Sequence, residues 1–386
     1  MLNRTMPHFF THSRMVAALL FVSLAALSLP LAAQPKVPAH ESSPAGSQQP
    51  YHIIARWKIG GDGFWDYMRD DPAAHRLYIA HGRRVDVVNT RTGKLVGTIA
   101  GLHGCHGIAL DTDGQYGFIS DGGGDAVVIF NRSTLAKVAT IAADQGPDGI
   151  VFEPVTQTVW AFNGRSHTAT VIDAPTQMNV ATVPLPGRPE FPVADGKGDI
   201  FDNIESKSEI IRIDARTRKI TAVWPAGCKS PSGLAIDRRG HRLFAVCRDR
   251  KMSVIDYRTG KVLATPTIGS GPDAARWSAK HKLAFATCGR DGVLAVINAG
   301  APGYPTLETL PTQRGARTMA YDPKTDRIYT VTAEFGPPPA ATARNRPTNQ
   351  AFPVIQFGRV PAGVVQHRFR RPPIVPGSFT VIVIGR

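Results

Sequence analysis

The stretch Gly146-Pro147-Asp148-Gly149-Ile150-Val151 decides the reading of this chain, because it returns. It reappears as Gly104-Cys105-His106-Gly107-Ile108-Ala109 and as Ser230-Pro231-Ser232-Gly233-Leu234-Ala235. Weaker copies are Phe64-Trp65-Asp66, Arg188-Pro189-Glu190, Gly271-Pro272-Asp273 and Ala316-Arg317-Thr318. The anchor residues of the seven copies are 66, 106, 148, 190, 232, 273 and 317, spaced 40 to 44 residues apart. Near-regular units of this length bury their apolar faces against one another.

Each unit contains strands and no helical period. In the unit anchored at His106, residues 107–110 form a short apolar strand A, and Asp111-Thr112-Asp113-Gly114 is a turn. There the Asp side chain bonds forward and the Gly accepts positive φ. Strand B (116–120), the loop Asp121-Gly122-Gly123-Gly124-Asp125, strand C (126–130, rich in β-branched residues) and strand D (136–141) follow. The same order recurs through Ser253-Val254-Ile255-Asp256 and the turn Asp256-Tyr257-Arg258-Thr259-Gly260-Lys261. The fold class is therefore all-β, a seven-bladed β-propeller of four-stranded antiparallel blades. Residues 51–59 fall in strand D phase before the first anchor, and 378–384 fall in strand C phase of the last unit. The N-terminal strand is thus expected to complete the C-terminal blade and remove two open sheet edges.

The pattern strand–Asp-x-x-x-Gly-Lys–strand–Gly-Pro-x-Gly-Ile-Ala–Asp-x-x-Gly–strand resembles the YVTN β-propeller repeat of bacterial envelope proteins. Residues 256–264, 146–152 and 236–246 carry it well, and it extends over roughly 51–335 and 378–386. The resemblance implies an extracytoplasmic propeller that binds something, and no single reaction. Cys105 departs from the pattern, standing where Pro or an aliphatic residue is usual.

A chain of 386 residues exceeds what one core serves, a limit that stacked repeats escape. Arg4 and Arg14, an apolar run over 15–31 and Ala32-Ala33-Gln34 give residues 1–33 the form of a cleaved signal peptide. A Pro/Ser/Ala/Gln-rich flexible leader (34–50) follows, then the propeller (51–386) with a long Pro/Arg-rich insertion at 337–372 in the last blade. Export to the periplasm or medium, no membrane span after cleavage and a monomer are expected. The net charge of +15 falls to +13 without Arg4 and Arg14, since 1–33 holds no acidic residue. This charge is spread along the chain, apart from His367-Arg368-Phe369-Arg370-Arg371, and leaves nucleic-acid or polyanion binding open.

The anchors open the innermost strands, so Asp66, His106, Asp148, Glu190, Ser232, Asp273 and Arg317 are expected to ring the mouth of the central channel as a ligand-binding site. His81, Asp121, Asn163, Asn203, Cys247, Cys288 and Thr332, in the B–C loops, share that face, with Glu205, Arg165, His167, Arg290 and Glu334 nearby. Asp148, Asp273, Glu190 and His106 have the chemistry to hold a divalent metal as a possible cofactor. His103, Cys105 and His106 are a softer candidate, weakened by strand alternation. Cys228 and Cys247 flank two adjacent strands of blade five and are expected to form a disulfide. Phe64, Trp65 and Tyr67 read either as a stacking platform or as packing between blades. No nucleophile elbow, zinc-protease helix or haem-attachment motif is present. The reading leans away from catalysis, toward a propeller binding a small molecule or an envelope protein. A metal-assisted lyase or hydrolase at the same mouth and a polyanion binder are the alternatives.

Overall fold

The computed structural model describes residues 50–337 and 372–386. The expected signal peptide, most of the leader and most of the insertion lie outside the described residues. Seven antiparallel sheets of four strands each succeed one another along the chain. Blade one comprises Trp65–Asp71, Arg76–His81, Arg84–Asn89 and Leu95–Ile99. Blade seven is made of Met319–Asp322, Arg327–Thr332 and Thr380–Gly385, with His52–Lys58 as its outer strand. That last pairing runs from His52↔Gly385 to Lys58↔Thr380 and closes the ring, as the phase of the two terminal strands implies. No helix among the described residues is long and apolar enough to cross a membrane.

The core is divided among the blade interfaces, and a register rule organises it. The third residue past each anchor pairs with a large aromatic on strand B. The pairs are Arg69↔Tyr78, Ala109↔Phe118, Val151↔Trp160, Val193↔Phe201, Ala235↔Phe244, Arg276↔Phe285 and Ala320↔Tyr329. All seven aromatics are fully buried. Each buries the area of a large apolar side chain against the next blade, worth about 2–3 kcal/mol of transfer free energy at about 25 cal/mol per Å².

Toward the axis the backbones converge. A Cβ on Gly149 would lie 2.4 Å from the Glu190 carbonyl oxygen, and one on Gly233 would lie 2.7 Å from Ala274 Cα. These glycines are required by close approach of neighbouring inner strands. Gly149→Ala is therefore expected to destabilise the protein by about 1–3 kcal/mol, the usual range for overpacking. Thermal denaturation would show it as a melting temperature lowered by several degrees.

Candidate functional site at the channel mouth

Six of the seven anchor side chains converge on the channel mouth. His106 Nδ1 lies 2.6 Å from Asp66 Oδ2 and 3.7 Å from Asp148 Oδ1. Arg317 bonds Asp273 through Nη1, reaches Asp66 Oδ1 at 3.5 Å through Nη2, and donates to the Trp65 carbonyl. Its guanidinium also sits 5.0 Å from the centre of the Phe64 ring. Glu190 receives Arg188 at 3.3 Å, and Arg188 and Arg248 both grip Glu205.

The seventh anchor serves a different purpose. Ser232 is buried, and its hydroxyl donates to Pro272 O at 2.9 Å, pinning blade five to blade six. The expected metal set is also redrawn. Asp66, His106 and Asp148 offer ligand atoms within 4.8 Å of one another, and neither Glu190 nor Asp273 belongs to that group. Asp273 is held by Arg317 from the next blade, which places a cation of the protein where the metal would have been.

The B–C loop positions are interior ties. His81 bonds Asp86 at 2.7 Å, and Asp121 accepts the backbone N–H groups of His103 and Gly104. Asn163 donates to Thr168 and Thr170, and Thr332 donates to Arg314 O. Cys247 is bonded to Cys228, with Cα atoms 6.0 Å apart. Burial pushes the Cys288 thiol up to about 12, well out of reactive range. Asn203 falls one position short of this series, because strand B of blade four ends at Ile204 before the short turn Glu205–Lys207. The softer metal candidate comes apart. His103 turns to Asp121 at 3.0 Å, while Cys105 donates to Gly82 O and Arg84 O and has its pKa raised to about 12 by burial.

Two residues escaped the sequence reading, Phe191, which partners the expected aromatic Tyr67, and Asp202. Tyr67 and Phe191, from blades one and four, meet edge-to-face with ring centres 4.9 Å apart. They occupy the position that is Gly107, Gly149 and Gly233 elsewhere, and they form the floor of the mouth. Trp65 instead packs among Phe335 and Phe379, while Phe64 stays exposed at the rim. Asp202 is fully buried, and among the described residues its carboxyl group has no ion-pair or side-chain partner, only the backbone N–H groups of Glu190 and Asn203 beside it. Its register equivalents are Ile79, Ile119, Ala161, Ala245, Ala286 and Thr330. Aligning strand B across the repeats would have exposed this Asp.

Electrostatics follow from the excess of carboxyl groups. Burial raises Asp148 to about 6, with Asp66 adding repulsion and His106 opposing it. Burial and then Asp148 raise Glu190 to about 8. Burial also raises Asp273 against the pull of Arg317, and it drives Asp202 far up, helped by Glu190 and Asp148. Burial alone would depress His106, but Asp148 and the bond to Asp66 outweigh it and lift the imidazole to about 9. Beneath them the Tyr67 phenol is raised by burial and by all four mouth carboxylates.

No protein-family model matches the chain, and no curated protein matches it. Solved structures do. A chain of Kuenenia stuttgartiensis hydrazine synthase is similar over 70% of this chain and 94% of its own, at 14% identity and a TM-score of 0.62. U3-55K is similar over 86% and 98%, at 10% identity and a TM-score of 0.65. The WD40 repeats of RRP9 are similar over 86% and 97%, at 10% identity and a TM-score of 0.66. The likeness is one of fold.

Two outcomes are expected. Glu190 and His106 both carry folded-state pKa values above their ordinary ones, so their stabilising effect is complete at low pH and is lost as pH rises, through about 8 and about 9 respectively. The melting temperature should fall between pH 6 and 9, and Glu190→Gln should flatten the lower part of that fall. Asp202→Ala removes a fully buried acid that has no ion-pair partner, at a position where three other blades carry Ala, and should stabilise the protein by about 1–3 kcal/mol in denaturant unfolding.

Proposed function

We propose that this chain is an exported propeller, akin to the YVTN-repeat proteins, that binds a cationic ligand at the channel mouth. The ligand is a small amine or guanidinium compound, or a basic side chain of an envelope protein. One observation carries the reading: the mouth encloses more carboxyl groups than cations, and burial first, with repulsion from neighbouring carboxylates second, lets Asp148 and Glu190 keep protons at pH values where free carboxyls have lost them. A cation entering between them would displace those protons and take over the stabilisation. The groups facing that space are Asp66, Asp148, Glu190, Asp202 and Asp273 against His106, Arg188, Arg248 and Arg317, with Tyr67 beneath. The Tyr67–Phe191 floor gives the ligand an apolar seat and two ring faces or edges to lie against.

The test is calorimetric titration with arginine amide and with spermidine at several pH values. Binding should tighten from pH 6 to pH 8 and release protons. The Asp148→Asn/Glu190→Gln double variant should bind about tenfold more weakly or worse, a loss of about 1.4 kcal/mol or more. Absence of binding, or equal binding by the variant, would defeat the proposal.

The grouping of Asp66, His106 and Asp148 favours a second reading, a divalent metal supporting a lyase or hydrolase reaction. A metal would have to displace the proton that His106 shares with Asp66, which sets it at a disadvantage near neutral pH. Elemental analysis of protein purified without chelators separates the two readings. A stoichiometric metal that is lost in Asp66→Asn would replace the organic cation with a metal ion.

A further inference from the structure

The channel continues below the Tyr67–Phe191 floor, and there its character reverses. The third position past the anchor is Ala109, Val151, Val193, Ala235 and Ala320 in five blades. In blades one and six it is Arg69 and Arg276. Both arginines share this level of the ring, because each pairs with the buried aromatic of its own strand B. Arg69 is exposed and Arg276 half-exposed although they belong to innermost strands, so their surface is that of an open vestibule. Arg238, just past strand A of blade five, joins them from below. It is exposed and donates to the carbonyls of Ala194 and Asp195.

These guanidinium groups lack the carboxylate partners that hold the arginines of the mouth, Arg188, Arg248 and Arg317. Arg132 nearby is held by Asp71 and Asp111, yet among the described residues none of Arg69, Arg238 and Arg276 forms an ion pair. Arg276 donates to the Ala275 carbonyl and, at 3.4 Å, to the Met68 carbonyl, and its guanidinium lies 5.3 Å from the centre of the Phe191 ring. Asp70, adjacent to Arg69, is wedged against Asp322 and Asp71, and burial raises it to about 7. Burial lowers Arg276 to about 10 with Arg69 adding repulsion, and burial lowers Arg69 and Arg238 as well. A guanidinium presents five donors in a planar fork suited to oxyanions, and three of them around one vestibule leave most of those donors unused.

We infer that the vestibule below the aromatic floor is a second binding site, in which Arg69, Arg276 and Arg238 hold a small oxyanion, a carboxylate or phosphate group. The channel then carries two separate sites of opposite charge preference, divided by one layer of aromatic side chains.

The experiment titrates the purified chain by calorimetry with inorganic phosphate and, in a second arm, with succinate, both in buffer of low chloride content. Wild type should show saturable one-site binding to at least one of them, and the stronger arm identifies the oxyanion class. Arg69→Met and Arg276→Met should each weaken it about tenfold or more, whereas Arg258→Met, on an outer turn, should leave it unchanged. Without added anion both vestibule variants should melt no lower than wild type, since each removes a guanidinium that forms no ion pair and is repelled by a neighbouring arginine. Binding of neither anion, or equal binding by wild type and both variants, overturns the assignment. So does a lower melting temperature in both variants, which would mean that the protein itself already satisfies these side chains.

Discussion

Every other feature of this protein depends on a single spatial constraint, the wedge shape of the blade. Seven buried aromatics, from Tyr78 in blade one to Tyr329 in blade seven, hold the sheets apart at mid-radius. At the axis Gly107, Gly149 and Gly233 let neighbouring backbones approach to distances that a methyl group would forbid. Bulk outside throughout, with glycine inside in blades two, three and five, tapers the blades toward the axis and lets the ring close. Where this rule is relaxed, at Tyr67 and Phe191, the extra side-chain volume has nowhere to go except across the channel.

Closing the ring gathers the anchors. Side chains that are about forty residues apart in sequence arrive within hydrogen-bonding range, as Asp66, His106 and Asp148 do, and there they share one poorly hydrated space. The geometry that stabilises the fold thus concentrates like charges, and the carboxyls respond by retaining protons. Stability and recognition are opposed at these positions. The same groups that weaken the protein as pH rises are those with most to gain from an incoming cation.

The strand order, the number of blades and the closing strand were legible because they follow from period and phase, which need only the apolar and turn residues. Most of the mouth was legible for the same reason. Direction was harder to read. A polar residue at the end of a strand can face the channel or tie a loop, and sequence does not distinguish Ser232, whose hydroxyl bonds Pro272, from Asp273, which meets Arg317. Asn203 was displaced by one position because the A–B connection of blade four is one residue shorter than in the other blades, so that Ile204 ends its strand. Asp202 was overlooked because an anchor-by-anchor alignment does not examine strand B, where only the comparison with Ile79, Ala161 and their equivalents shows that it is out of place.

The pairing of His52–Lys58 with Thr380–Gly385 also bears on the order of events in folding. Among the described residues the earliest strand belongs to the last blade, and its partner is made more than three hundred residues later. Until then six blades have their own strands, but the seventh lacks both strand C and a neighbour for strand D. Contacts this distant in sequence form slowly. The last blade is consequently kept from closing the ring until Thr380–Gly385 has been made.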